Sequence, residues 1–136
     1  MNQKEFTNYI IPKLIRRFPQ FCEFCTQKPN DIVDIDYKSP NGELTLWVTT
    51  QDKEITIGFN SEPPLHDWHI HMSQLNANTP REELEAAVKL LENILTDGEA
   101  IVASNIMGHS LIYDINDIEN YKEEGEIIRI VYWSDL

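Results

Sequence analysis

Three of the four histidines in this chain, His66, His69 and His71, fall within six residues. They lie in the stretch Glu54 to Met72, EITIGFNSEPPLHDWHIHM. In that stretch Trp68, Ile70 and Met72 alternate with His69 and His71. If the apolar set points to a core, both imidazoles project from the opposite side of a strand. Alternate strand residues stand roughly 7 Å apart on one side, a recurrent spacing for two metal ligands. A catalytic metal needs a third protein ligand, and His66, Asp67, Asp34 and Asp36 are the candidates. Zinc, manganese or iron held this way would support a metal-dependent hydrolase. The same histidines beside tryptophans equally suit a protein-binding patch that needs no cofactor.

Other chemistry is sparse. There is no glycine-rich phosphate loop, no GxSxG elbow and no HExxH helix. Asp34 and Asp36 could form an acid–base pair, but carboxylates on a sheet surface are more commonly solvated. Cys22-Glu-Phe-Cys25 is a CxxC. Such a pair can be redox-active or half of a zinc site, yet a redox motif of this kind should follow a strand and open a helix. Here it follows a basic helical segment, Lys13, Arg16 and Arg17, and precedes a loop at Gln27–Asn30. Two reduced cysteines on a partly buried segment satisfy the pattern without a function.

The elements that must position these residues read as α+β. Phe6, Ile10, Leu14 and Phe18 recur four apart, giving a helix over residues 3–17 that Pro12 kinks or divides. Strands follow at Ile32–Lys38, Glu43–Gln51 and Glu54–Phe59. Asn41-Gly42 predicts a type I′ turn that pairs Ile35 with Val48 and Tyr37 with Leu46. A two-residue turn at Asp52-Lys53 pairs Val48 with Ile57 and Leu46 with Phe59. That register puts Val33, Ile35, Tyr37, Leu46, Val48, Ile57 and Phe59 on one face. Asp34, Asp36, Thr45, Trp47, Thr49, Thr56 and Gly58 take the other, with Trp47 over Gly58. A fourth antiparallel strand at Trp68–Met72 adds His69 and His71 to the polar side.

Thr79-Pro80-Arg81-Glu82 opens a second helix through an N-cap, a proline in the first turn and a capping box. Leu84, Ala87, Val88, Leu91, Ile94 and Leu95 form its stripe, Glu85 and Lys89 an i,i+4 pair, and Gly98 its left-handed end. Two more strands flank Met107-Gly108-His109, the second running to Ile115. A closing strand at Glu126–Trp133 is apolar on both sides, as a central strand would be. The expectation is one domain over residues 1–136. Its fold is a mainly antiparallel, twisted sheet in meander order with two helices packed on one face.

Composition narrows the function. The net charge is −12, from 11 basic and 23 acidic residues. Residues 1–80 carry 7 Lys/Arg against 10 Asp/Glu, and residues 81–136 carry 4 against 13. Such a surface repels phosphate backbones, which argues against nucleic acid, and attracts basic proteins. The densest acidic run, Asp114 to Glu126, includes Asp117, Glu119, Glu123 and Glu124. It reads as a solvated loop or as a docking patch for a basic partner. No apolar run reaches membrane-spanning length and the N-terminus lacks a signal-peptide pattern, so a cytoplasmic protein with no membrane partner is expected. Oligomeric state is left open.

The strand ending at Gly58-Phe59, followed within about a dozen residues by Trp68-His69-Ile70-His71, resembles a pattern in small acidic bacterial proteins. Some of these are encoded beside polymorphic toxins and taken to be immunity proteins. The resemblance spans residues 54–72. It implies a non-enzymatic protein that binds and neutralises a toxin, and it carries over no catalytic residue. On this reading Trp47, Asp34, Asp36, His69, His71 and the acidic run are the partner-binding residues.

Overall fold

The computed structural model describes residues 1–111 and 123–136. The fold is α+β, built from two antiparallel sheets rather than the single sheet expected. The first sheet is a five-stranded meander of β1 (Cys25–Lys28), β2 (Ile32–Lys38), β3 (Leu44–Thr49), β4 (Thr56–Ser61) and β5 (His69–His71). The second runs in the order β7 (Gly108–Leu111), β6 (Ile101–Ser104), β8 (Ile128–Val131). Two α-helices, α1 (Gln3–Arg17) and α2 (Pro80–Leu95), complete the scaffold.

The register of the meander follows from side-chain alternation. Ile35 pairs with Val48, Tyr37 with Leu46, Val48 with Ile57, and Leu46 with Phe59, as the periodicity requires. Ile35, Leu46, Val48, Ile57 and Phe59 are fully buried. Tyr37 is half-buried and stacks on Trp133 with ring centroids 6.1 Å apart. A one-residue slip would turn this apolar set to solvent, which is why the pairing is well determined.

The turns differ from expectation in their chemistry. Gly42 has φ +78, whereas Asn41 is not left-handed, so the β2–β3 turn is not type I′. The chain instead closes a longer loop, with Gly42 N–H donating to Ser39 O at 2.9 Å and Ser39 N–H to Leu44 O at 2.8 Å. Pro40, with its fixed φ, takes the second position of that turn. The two-residue turn with both φ positive lies at Asp52 (63°) and Lys53 (57°). The loop expected at Gln27–Asn30 begins instead as strand, since Cys25–Lys28 forms an edge strand. A turn through Pro29, Asn30 and Asp31, with Asn30 and Asp31 left-handed, folds it back onto β2.

Both helices pack on the apolar side. Phe6, Ile10 and Leu14 of α1 join Ala87, Leu91 and Ile94 of α2 and the sheet residues in one hydrophobic cluster. That cluster also takes in Ile101, Ala103 and Val131 of the second sheet. α1 runs through Pro12 as one helix, capped by Asn2 and Glu5 in a reciprocal box. Thr79 caps α2, but Glu82 returns its carboxylate to Asn78 N–H at 3.3 Å rather than to the cap residue. The helix ends in a Schellman arrangement with Asp97, not Gly98, in the left-handed position (φ 62°). Gly98 N–H reaches Asn93 O at 2.7 Å and Asp97 N–H reaches Ile94 O at 3.3 Å. Glu85 pairs back to Arg81 at 3.1 Å instead of forward to Lys89. The closing strand is shorter than expected and lies at an edge of its sheet, with Ile130 and Tyr132 exposed.

Candidate functional site

The outer face of the meander carries an open, shallow concavity of about 550 Å³. Its lining includes Asp34, Asp36, Trp47, Glu54, His69 and His71. Strand register explains how residues far apart in sequence meet there. Asp36 pairs with Trp47, Trp47 with Gly58, and Gly58 with His69, forming one row across β2 to β5. Asp34, Thr49, Thr56 and His71 form the adjoining row.

Gly58 decides where the tryptophan lies. A Cβ at that position would overlap the indole, standing 2.6 Å from Trp47 Cε2 and 2.8 Å from His69 Cβ. The missing side chain is therefore the bed of the ring. His69 continues the aromatic surface, its ring centroid 6.3 Å from that of Trp47 at 32°. The indole Nε1–H is buried and has no hydrogen-bond partner among the described residues. His71 Nδ1 is approached by two oxygens at the same ring nitrogen, Glu54 Oε1 at 2.7 Å and Thr56 Oγ1 at 2.8 Å. Burial raises the Asp36 carboxyl above its ordinary pKa, repulsion from Asp34 adds to it, and Lys28 offsets part. A cation placed between the two carboxylates would relieve that repulsion.

Sequence reasoning located Asp34, Asp36, Trp47, His69 and His71 here. It missed Glu54 and Asp52, which enter from the β3–β4 turn. The signal was present for Glu54, which flanks the two-residue turn and continues the outward alternation of Thr56 and Gly58, whereas Asp52 is a residue of the turn itself. His66 is exposed and does not line the cavity. Asp67 faces a different cluster. Among the described residues no three His, Cys, Asp or Glu side chains converge in a metal-binding group. Cys22 is exposed and Cys25 half-buried, and both thiols are free. Burial raises the Cys25 thiol pKa, the reverse of what a reactive thiolate needs. Glu123 and Glu124 are exposed and stand apart from the cavity lining. Asp114, Asp117 and Glu119, with the expected strand beyond Leu111, lie outside the described residues.

A second polar cluster went unread in the sequence, where His109 was placed in a turn. It sits instead in β7, buried between the two sheets. Asp67 accepts from the backbone N–H groups of His109 (2.9 Å), Ser61 (3.0 Å) and Leu65 (3.2 Å), and from the Ser61 hydroxyl. Burial alone would raise the Asp67 carboxyl, but these donors outweigh it and hold it below its ordinary pKa. The single Ser61 proton goes to Asp67, so Ser61 Oγ accepts from His109 Nδ1 at 2.6 Å. His109 Nε2 is buried with no hydrogen-bond partner at close range among the described residues, its nearest carboxylate oxygen being Glu43 Oε2 at 3.8 Å. Glu43 is itself held by Arg129 at 3.0 Å. Ser61 bridges the acid and the imidazole, so this is not the order in which a histidine activates a serine nucleophile. Its role is to fasten β7 to the meander, helped by Trp68 N–H donating to His109 O at 3.0 Å.

No protein-family model, curated protein or solved structure matches the chain. No helix among the described residues is long and apolar enough to cross a membrane. The class defined by fold and site is a two-sheet α+β domain with an acidic, aromatic-floored concavity.

Proposed function

We propose that this is a non-enzymatic binding protein that captures and neutralises a basic toxin domain of bacterial origin. One observation carries the reading. Four carboxylates, Asp34, Asp36, Asp52 and Glu54, surround Trp47, His69 and His71 in the concavity of about 550 Å³. Tryptophan is favoured at interface hot spots, and a negative rim steers and selects a cationic partner. The −12 charge extends that field over the molecule. The resemblance of residues 54–72 to immunity-type proteins gives the partner its class. The metal-hydrolase alternative gains no comparable support, because among the described residues no third His, Cys, Asp or Glu converges with His69 and His71 in a metal-binding group.

Co-expression with a basic toxin encoded by an adjacent gene tests the proposal. Cells should survive, and the two proteins should co-purify as a complex. Survival without complex formation, or stoichiometric metal together with hydrolytic turnover, would replace this reading with another.

A further inference from the structure

We infer that the concave face of β2 to β5 is a socket for one arginine side chain of the partner, its guanidinium lying on Trp47 beside the Asp34 and Asp36 carboxylates of the adjoining strand. This rests on the proposed capture of a basic protein and names the contact that makes it specific. The floor is flat because the indole lies on the bare backbone of Gly58, with the His69 ring beside it. The bare Gly58 backbone and the His69 ring hold the indole in place, so that ring has little freedom left to lose on binding. Strands spaced roughly 4.8 Å apart put Asp36 and Trp47 side by side, and Asp34 roughly 7 Å along the same strand.

That geometry discriminates between the two basic side chains. A guanidinium stacks on an aromatic face while its in-plane donors stay free for carboxylates at the edge. Its planar fork can take one carboxylate with two bonds or reach both. An ammonium is a compact, strongly hydrated charge that gains little from a flat floor. Asp34 and Asp36 project from the same side of β2, and their repulsion, which adds to burial in raising the Asp36 carboxyl, is relieved by either cation but most fully by one that reaches both. The cavity is larger than one side chain, which leaves room for the residues flanking the arginine on an extended segment.

The test uses the full chain and three capped tripeptides: Gly-Arg-Gly, Gly-Lys-Gly and Gly-citrulline-Gly. Binding is followed at the Trp47 indole N–H resonance, assigned through Trp47→Phe. The arginine peptide should saturate with a dissociation constant on the order of millimolar. The lysine peptide should bind about fivefold more weakly, and the citrulline peptide should leave the resonance unmoved. The double variant Asp34→Asn, Asp36→Asn, checked for folding by circular dichroism, should lose the preference for arginine. Equal arginine and lysine affinities, a preference that survives the double variant, or no saturable shift would each overturn the socket. A toxin captured equally well by wild type and double variant would sink the socket and leave neutralisation standing. Arginine-selective binding by a chain that captures no toxin would do the reverse.

Discussion

At the residue scale two positions hold the site and its frame, and both can be tested alone. Gly58 is required by packing, since the Trp47 indole occupies the volume of its absent Cβ. Gly58→Ala should lift the indole off the strand, at a cost of about 1–3 kcal/mol in stability from overpacking. Urea unfolding would measure the cost, and a red-shifted tryptophan emission would report the exposed ring. A variant with unchanged midpoint and emission would show that the ring rests elsewhere. His109 supplies the second test. Burial depresses its pKa, the Asp67 and Glu43 carboxylates oppose this, Arg129 adds to it, and the net direction is down. The unfolded chain therefore binds a proton that the folded chain resists. His109 contributes its full stability above the unfolded value of about 6.5, and that contribution is lost as pH falls toward the folded value. The urea midpoint should drop between about pH 7 and pH 5. His109→Asn, whose amide can still donate to Ser61, should flatten that drop; an identical slope in both proteins would assign it to other groups.

At the element scale the meander is where sequence and structure agree best, and the reason is physical. Register in β2 to β4 is set by side-chain alternation and short connections, both local, so Ile35 opposite Val48 and Trp47 opposite Gly58 were readable in advance. The cavity was half-readable for the same reason: outward positions on paired strands must share a face. What could not be read is non-local. β1 offers little apolar alternation, because Thr26, Gln27 and Lys28 are exposed, so nothing marked it as a strand. The split into two sheets depends on Ile101 and Val131 reaching the common core, which no short-range pattern records. Glu83 shows the same limit. It looks like an ordinary first-turn acid of α2, yet its Oε1 accepts the buried Ile55 N–H at 2.9 Å, tying the helix to the start of β4. Burial raises its carboxyl pKa, repulsion from Glu54 reinforces that, and the Ile55 N–H partly offsets it. Glu83→Ala should lose about 1–3 kcal/mol by orphaning that donor. Glu83→Gln keeps the acceptor and removes the buried charge, so its stability at neutral pH should match or exceed wild type. Chemical denaturation of the pair decides, and equal losses would show that the hydrogen bond is not what matters.

At the scale of the whole molecule, the proposed capture of a basic partner would divide between charge, which sets the rate, and shape, which sets the lifetime. Thirteen of the 23 acidic residues follow residue 80, against four basic ones, so the charge is unevenly spread along the sequence. Long-range attraction acts before contact and is screened over a Debye length of about 8 Å at physiological salt. Its effect belongs to the association rate. The aromatic floor acts only after docking, when Trp47 is covered, and so belongs to the dissociation rate. Reversing Asp117, Glu119, Glu123 and Glu124 to lysine should therefore slow association with a basic toxin partner and flatten its dependence on ionic strength, with dissociation little changed. Trp47→Ala should do the opposite, speeding dissociation by about tenfold or more, the equivalent of a loss of roughly 1.4 kcal/mol or greater, while association holds. Stopped-flow association at several salt concentrations, paired with competition-chased dissociation, separates the two. If both variants changed the same rate constant, steering and contact would reside in one surface, and the cavity would have to supply both.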